Sequence, residues 1–237
     1  MLVKTKAIVI SSLKYQEKSL IVKCLTHSDG LKSYFVPNAF SAKKSNQKIA
    51  YFQPLTILEI EANHKNKGTL EHFKEIKLAH AYQTISNDIV KSTIVMFLSE
   101  IMHHSIHEEE KNENLFLFLE SALLWLDAHD DMANFHLILM LEMTKFLGFY
   151  PDTTETDGNF FEVKEGFFTS TLGTGCLSEH ETHLFKRLID LKFDSDQKVF
   201  SGVERQILLK ILLSYYTTHL AGFKNPKSLE VLKEVFA

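Results

Sequence analysis

Cysteine is scarce in this chain. Cys24 and Cys176 lie far apart in sequence, so neither a disulfide framework nor a metal-knuckle spacing is available, which suits a reducing compartment. Long apolar runs are also missing. The longest, Leu115 to Leu126, is twelve residues interrupted by Glu120, too short to span a bilayer. Met1-Leu2-Val3-Lys4-Thr5-Lys6 puts charge where a secretion signal needs apolar residues, and the expected location is the cytoplasm. There are no repeats and no low-complexity tracts. A Gly-rich phosphate loop, a nucleophile elbow and paired catalytic carboxylates are all absent, so no enzyme is expected. At 237 residues, with 45% apolar and 24% charged side chains, the composition is that of an ordinary globular protein with a substantial core.

What is present is a charge split by position. Residues 1–80 carry thirteen lysines against six acids, a balance of +7, whereas the remaining 157 residues carry −11, giving the overall −4. A basic head on an acidic body is the usual mark of a polyanion-binding module joined to a part with another task.

The head reads as β-structure. Lys4–Ser11, Ser19–Thr26, Gly30–Val36, Leu55–Ala62 and Glu71–Ala79 are short runs rich in Val, Ile, Thr, Tyr and Phe, separated by polar loops. Asp29-Gly30 between two such runs is a hairpin signal. Five strands in this length suit a small barrel of the OB type, although an SH3-like barrel would share the pattern. Beyond residue 82 the apolar spacing becomes helical over Thr84–Ser105, Asn112–Asp127, Met132–Leu147, Ser178–Leu191 and Ser201–Ala221, with a last short helix from Pro226. Phe160–Val163 and Phe167–Thr169 flank Lys164-Glu165-Gly166 as a small hairpin. The expected architecture is α+β: an OB-type barrel over 1–80, then a helical domain over 81–237 with a hairpin insertion at 152–177.

Strand alternation predicts which barrel residues face out. Burying Leu31 and Phe35 exposes Lys23, Lys32 and Tyr34, and a lysine beside an aromatic suits single-stranded nucleic acid: the cation meets phosphate while the ring stacks on a base. Lys6 and the loop lysines Lys43, Lys44 and Lys48 complete the candidate surface. Surface lysines are common, and it is their clustering that carries the reading. The first eighty residues contain no arginine, which argues against bidentate guanine contacts and for sequence-tolerant binding.

Other clusters invite over-reading. His103, His104 and His107 before Glu108-Glu109-Glu110 offer an i,i+4 histidine pair, but a solvated helix end accounts for them. His180 and His183 are three apart and do not make H-E-x-x-H, while Ser178 with Glu181 reads as a capping box. Trp125, Phe116 and Phe118 have core spacing. An RNA-binding barrel with a helical docking domain, and a metal-dependent hydrolase centred on His103 and His107, remain as alternatives. Competition between DNA and RNA, and chelator-sensitive turnover, would discriminate them.

Several segments resemble the bacterial recombination mediator family RecO. Lys4-Thr5-Lys6-Ala7-Ile8-Val9-Ile10, Leu20-Ile21-Val22, Thr26 and Gly30 are similar to its opening strands, and Tyr51 to Ile60 to its fourth-strand region. More specific is Asn134-Phe135-His136-Leu137 running into Phe146-Leu147-Gly148-Phe149-Tyr150-Pro151; Lys227 to Leu232 also fits. The resemblance implies an OB fold binding single- and double-stranded DNA, strand annealing, and loading of the recombinase RecA, together with RecR, onto DNA coated by single-strand-binding protein. It further implies association with the nucleoid and docking of that protein's acidic, apolar C-terminal tail on the helical body. Lys145, Lys186, Arg187 and Lys210 are candidates for that docking by chemistry. Some RecO proteins carry a four-cysteine zinc motif after the Gly-Phe-x-Pro helix end. Here residues 152–177 offer only Cys176, so no structural zinc or other cofactor is expected, and Phe160 and Phe167 are expected to form the hairpin core instead.

Overall fold

The computed structural model describes residues 1–40, 49–65, 69–107, 110–195 and 199–236. Lys43, Lys44 and Lys48 lie outside them. The chain divides into two compact units, Met1–Ala128 and His129–Ala237.

In the first unit, β1 (Leu2–Tyr15), β2 (Ser19–Thr26), β3 (Gly30–Val36), β4 (Ile57–Asn63) and β5 (His72–Leu78) form one antiparallel sheet in the order β3-β2-β1-β4-β5. The long β1 serves both neighbours. Its first half pairs with β4 and its second with β2, and an irregularity between Val9 and Ser11 bends it from one to the other. Parallel pairing of Tyr34 with Glu71 brings the two edges together: Glu71 N–H donates to the Ser33 carbonyl at 2.8 Å, and Phe35 N–H to the Glu71 carbonyl at 2.9 Å. This closed five-stranded circuit is the OB arrangement expected from the sequence. Gly30 supplies the left-handed backbone (φ 67°) at the β2–β3 turn, where the Thr26 hydroxyl donates to the Gly30 carbonyl at 2.8 Å.

Leu31 is buried as expected, but at Tyr34 and Phe35 the faces of β3 are the reverse of those expected. Tyr34 and Val36 point into the core with Leu20, Val22 and Cys24, while Phe35 lies on the outside. Tyr34 is 0% exposed and stacks on Phe73, ring centroids 4.0 Å apart. Its hydroxyl meets His64 Nε2 at 2.7 Å, and His64 Nδ1 lies 3.0 Å from the Asp29 carboxylate. A carboxylate only accepts, so Nδ1 carries the proton toward Asp29 and Nε2 accepts from Tyr34. Burial would raise the Asp29 pKa, but hydrogen bonds from Ser28 and His64, with the Lys32 charge, outweigh it and lower it. Tyr34 is therefore a core residue and cannot stack on a base. Tyr34→Phe is expected to lower stability by about 1–2 kcal/mol, because buried His64 Nε2 loses its donor. Urea unfolding checks this, and oligonucleotide affinity should stay unchanged.

Two helices complete this compact unit, which ends at Ala128. In α1 (Ile89–Ser105) the Asp88 side chain caps the start by accepting from the N–H groups of Val90 and Lys91. The helix begins later than its apolar spacing predicts because residues 83–85 are held elsewhere. In α2 (Glu113–Ala128) the terminal Asp127 carboxylate accepts from the backbone N–H of Gln83, Thr84 and Ile85 at 2.9, 2.9 and 3.1 Å. Lys6 and Glu120 form an ion pair at 2.7 Å.

In the second unit, α3 (Phe135–Leu147) ends on Gly148 in the left-handed region (φ 82°), a regular stop. The hairpin of β6 (Phe160–Glu162) and β7 (Phe167–Thr169) follows, then α4 (Glu179–Asp190), α5 (Gly202–His219) and α6 (Leu229–Val235). Ser178 and Ser201 both make capping boxes, with Glu181 and Glu204. α6 starts three residues after Pro226, which holds a turn by accepting from Leu229 N–H. The buried rings of the hairpin are Phe161 and Phe168, not Phe160 and Phe167, whose ring is 41% exposed. The register pairs Phe161 with Phe168, and Phe161 packs against Phe185 and Tyr215.

Candidate nucleic-acid interface

The lysines of the barrel fall into two groups with different electrostatics. On the outer surface of β1, β4 and β5, Lys4 and Lys74 both pair with Glu61, and Lys6 stands across the strands from Glu59 and pairs with Glu120. Hydrogen bonds from Lys74 and Lys4 hold Glu61 below its usual carboxylate range. These cations are answered by acids from neighbouring elements, so this face offers a polyanion little.

The predicted residues are not brought onto one track. Lys6 belongs to the neutralised face. Lys23 is half-buried on β2 and faces His103, whose pKa is lowered by burial first and then by the Lys23 charge. Lys32 lies near Asp29, and Tyr34 is in the core.

The other end of the β1–β2 hairpin is different. Lys14 and Lys18 are exposed there, and among the described residues no carboxylate pairs with either. The Lys14 ammonium lies 5.5 Å from the centre of the Phe40 ring, and Phe40 N–H donates to the Lys18 carbonyl at 3.3 Å. Phe40 leads directly into the segment containing Lys43, Lys44 and Lys48.

From the same hairpin end, on the other face of β1 from Lys14, an aromatic row runs over the outer surface of the barrel. Tyr15 meets Phe35 edge-on with centroids 6.2 Å apart, and Phe35 meets His72 at 5.9 Å. The cross-strand register adds Leu13 and Ile21 to the same face. Tyr15 is 42% and Leu13 66% exposed. Cations next to exposed rings are the combination that holds single strands, phosphate on ammonium and base on ring. Sequence reasoning missed Lys14, Tyr15, Lys18, Phe35 and Phe40. Two signals were available: adjacent Lys14-Tyr15 at a strand end, and two neighbouring aromatics, Tyr34 and Phe35, of which strand geometry buries only one.

On the helical unit, three of the four tail-docking candidates are engaged in the fold. Lys145 pairs with Glu142 and lies over Tyr150. Lys186 donates to the Gly158 carbonyl, and Arg187 to the Val199 carbonyl and Glu204. Lys210 differs. With Lys233, which pairs with Glu230, it borders an apolar groove of about 630 Å³ between α5 and α6, lined by Val203, Ile207, Leu213 and Leu229. Cys176 is a free thiol, and among the described residues no three His, Cys, Asp or Glu side chains are placed to hold a metal ion. Nor, among those residues, is any helix long and apolar enough to cross a membrane.

Comparison with known proteins agrees with this architecture. Residues 1–82 match the family model for the recombination protein O N terminal and residues 86–230 that for its C terminal. The chain is 70% identical, over all of both chains, to DNA repair protein RecO of Flavobacterium johnsoniae, and 70% identical to that of Flavobacterium psychrophilum. It is 41% identical to that of Christiangramia forsetii, again over the full length of both. With both halves matched and full-length relatives this similar, the chain belongs to the RecO family.

Proposed function

We propose that this protein acts in recombinational DNA repair by binding single and double strands through the β1–β2 hairpin end of the barrel and annealing complementary strands. The observation that carries the reading is that Lys14 and Lys18, which no carboxylate pairs with among the described residues, share the β1–β2 hairpin end with the partly exposed Phe40 ring and with Tyr15, where the Tyr15–Phe35–His72 row begins. Annealing needs no reacting group. Cations that screen two phosphate chains lower their repulsion, and rings that hold bases unstacked leave their pairing edges free. The family membership supports the role in repair and recombination. The same membership supports, as part of this proposal, a role with RecR in loading RecA onto DNA coated by single-strand-binding protein.

The α5–α6 groove is the site proposed for the acidic, apolar tail of the single-strand-binding protein. Its apolar lining suits the tail's apolar residues, and Lys210 at its border suits the tail's carboxylates, while Lys233 there is shared with Glu230.

The test is strand annealing with two charge-reversal sets, Lys14→Glu with Lys18→Glu, and Lys43→Glu with Lys44→Glu and Lys48→Glu. Each set is expected to slow annealing about tenfold or more, since each swap removes a phosphate contact and adds repulsion. Wild-type rates in both sets would remove this end of the barrel from the function.

A further inference from the structure

The barrel does not close along the full length of its seam. Between the described parts of β3 and β5, backbone bonding is confined to the Tyr34–Glu71 bridge. Beyond it Val36 and Pro37 diverge from Phe73 and Ile76, and the gap is a cleft of about 340 Å³. Phe35, Tyr51, Phe52 and Phe73 line it, with the stem of Lys74 at its border. The rings inside form a near-parallel ladder. Phe73 stacks on Tyr34 with 13° between planes, and Phe52 on Phe73 with 21°.

We propose that this cleft receives one unstacked nucleobase from the bound strand. The inference rests on the DNA-binding reading above and adds to it a particular place for a base. Three observations favour a base over another apolar occupant. The lining is chiefly aromatic, and its partly exposed rings, Phe35, Tyr51 and Phe73, offer a planar ring surface to pack on. The diverging strand edges offer backbone N–H and C=O groups that are not paired with each other across the gap, as the polar edge of a base requires. Phe35 belongs both to the cleft and to the exposed Tyr15–Phe35–His72 row, so a strand stacked on that row passes the opening. The cleft volume lies in the range of small-molecule sites, about 300–1,000 Å³. Lys74 is held by Glu61, so recognition falls on rings and backbone while Lys14 and Lys18 take the phosphates.

The test compares the full-length protein with Tyr51→Leu, which keeps apolar volume but removes the flat ring. Affinities are measured for oligo(dT) and for a fully abasic oligonucleotide of equal length. The slot predicts about a tenfold loss for oligo(dT) and none for the abasic strand, which has phosphates but no bases. Equal losses on both, or no loss on either, would overturn it. Photocrosslinking of iodouracil-substituted oligo(dT) to the wild-type protein gives an answer independent of the variant's folding. Crosslinks at Tyr51 or Phe73 support the slot, and crosslinks at Tyr15 or Phe40 with none at Tyr51 or Phe73 overturn it. That last result with salt-sensitive binding would sink the slot alone; no oligonucleotide binding by wild type would sink the DNA reading and the slot together.

Discussion

Asp127→Ala is expected to destabilise the Met1–Ala128 unit by about 3–5 kcal/mol, the largest loss among the single substitutions considered. The side chain is only 6% exposed, and three backbone N–H groups point at it. The Thr84 hydroxyl donates to the Asp127 carbonyl at 2.6 Å and accepts from the fully buried Lys91 ammonium at 2.7 Å, so one carboxylate organises the whole turn into α1. Alanine leaves those donors facing apolar surroundings. Burial alone would raise the Asp127 pKa, but the backbone hydrogen bonds, with one from His80, prevail and hold it at about 2 against an ordinary 3.8. A carboxylate depressed in the folded state stabilises above its unfolded pKa. That contribution, about 2 kcal/mol, is present above pH 4 and is lost as pH falls through 2. Urea melts of the wild type and of Asp127→Ala from neutral pH downward check both parts: the difference between them should shrink below pH 4. A substitution that leaves the midpoint unmoved at pH 7 would contradict the clamp.

Asp127 also illustrates how legible the chain was. Strands β2 and β3 end where their residue types change, and the capping boxes at Ser178 and Ser201 and the stop at Gly148 are local chemistry readable in order. An aspartate closing an amphipathic helix, by contrast, looks like any solvated acid. Its partners lie more than forty residues away at Gln83 to Ile85. The inside of β3 was illegible for the same reason. Leu31, Ser33 and Phe35 make as plausible a core face as Lys32, Tyr34 and Val36, and distant His64 and Phe73 decide between them. Net charge was legible as a sum but not as a map. The +7 of the head does not say that Lys4, Lys6 and Lys74 are answered by Glu61 and Glu120 while Lys14 and Lys18 are not. Lys186 and Arg187 were candidates for tail docking by their chemistry, yet both are spent on carbonyls within the fold.

The second large effect is the response of binding to salt. Lys14 and Lys18 at the hairpin end, with Lys43, Lys44 and Lys48 in the sequence that follows Phe40, make five cations proposed to meet phosphates. Each contact on a single strand releases about 0.7 of a counterion, so log affinity should fall with log salt at a slope near −3.5. Between 50 and 200 mM that is roughly a hundredfold loss. Lys14→Glu with Lys18→Glu should flatten the slope to about −2, whereas Lys4→Glu should leave it nearly unchanged, because Lys4 is already paired with Glu61. The contrast separates a local track from the diffuse attraction of a basic barrel.

That contrast is also the most direct test of the account. Affinity of the full chain for labelled oligo(dT) is measured across salt for the wild type, the Lys14/Lys18 double reversal and Lys4→Glu. A steep wild-type slope that the hairpin-end reversal flattens and Lys4→Glu does not is the predicted result. Equal slopes in all three proteins, or affinity indifferent to salt, would contradict it.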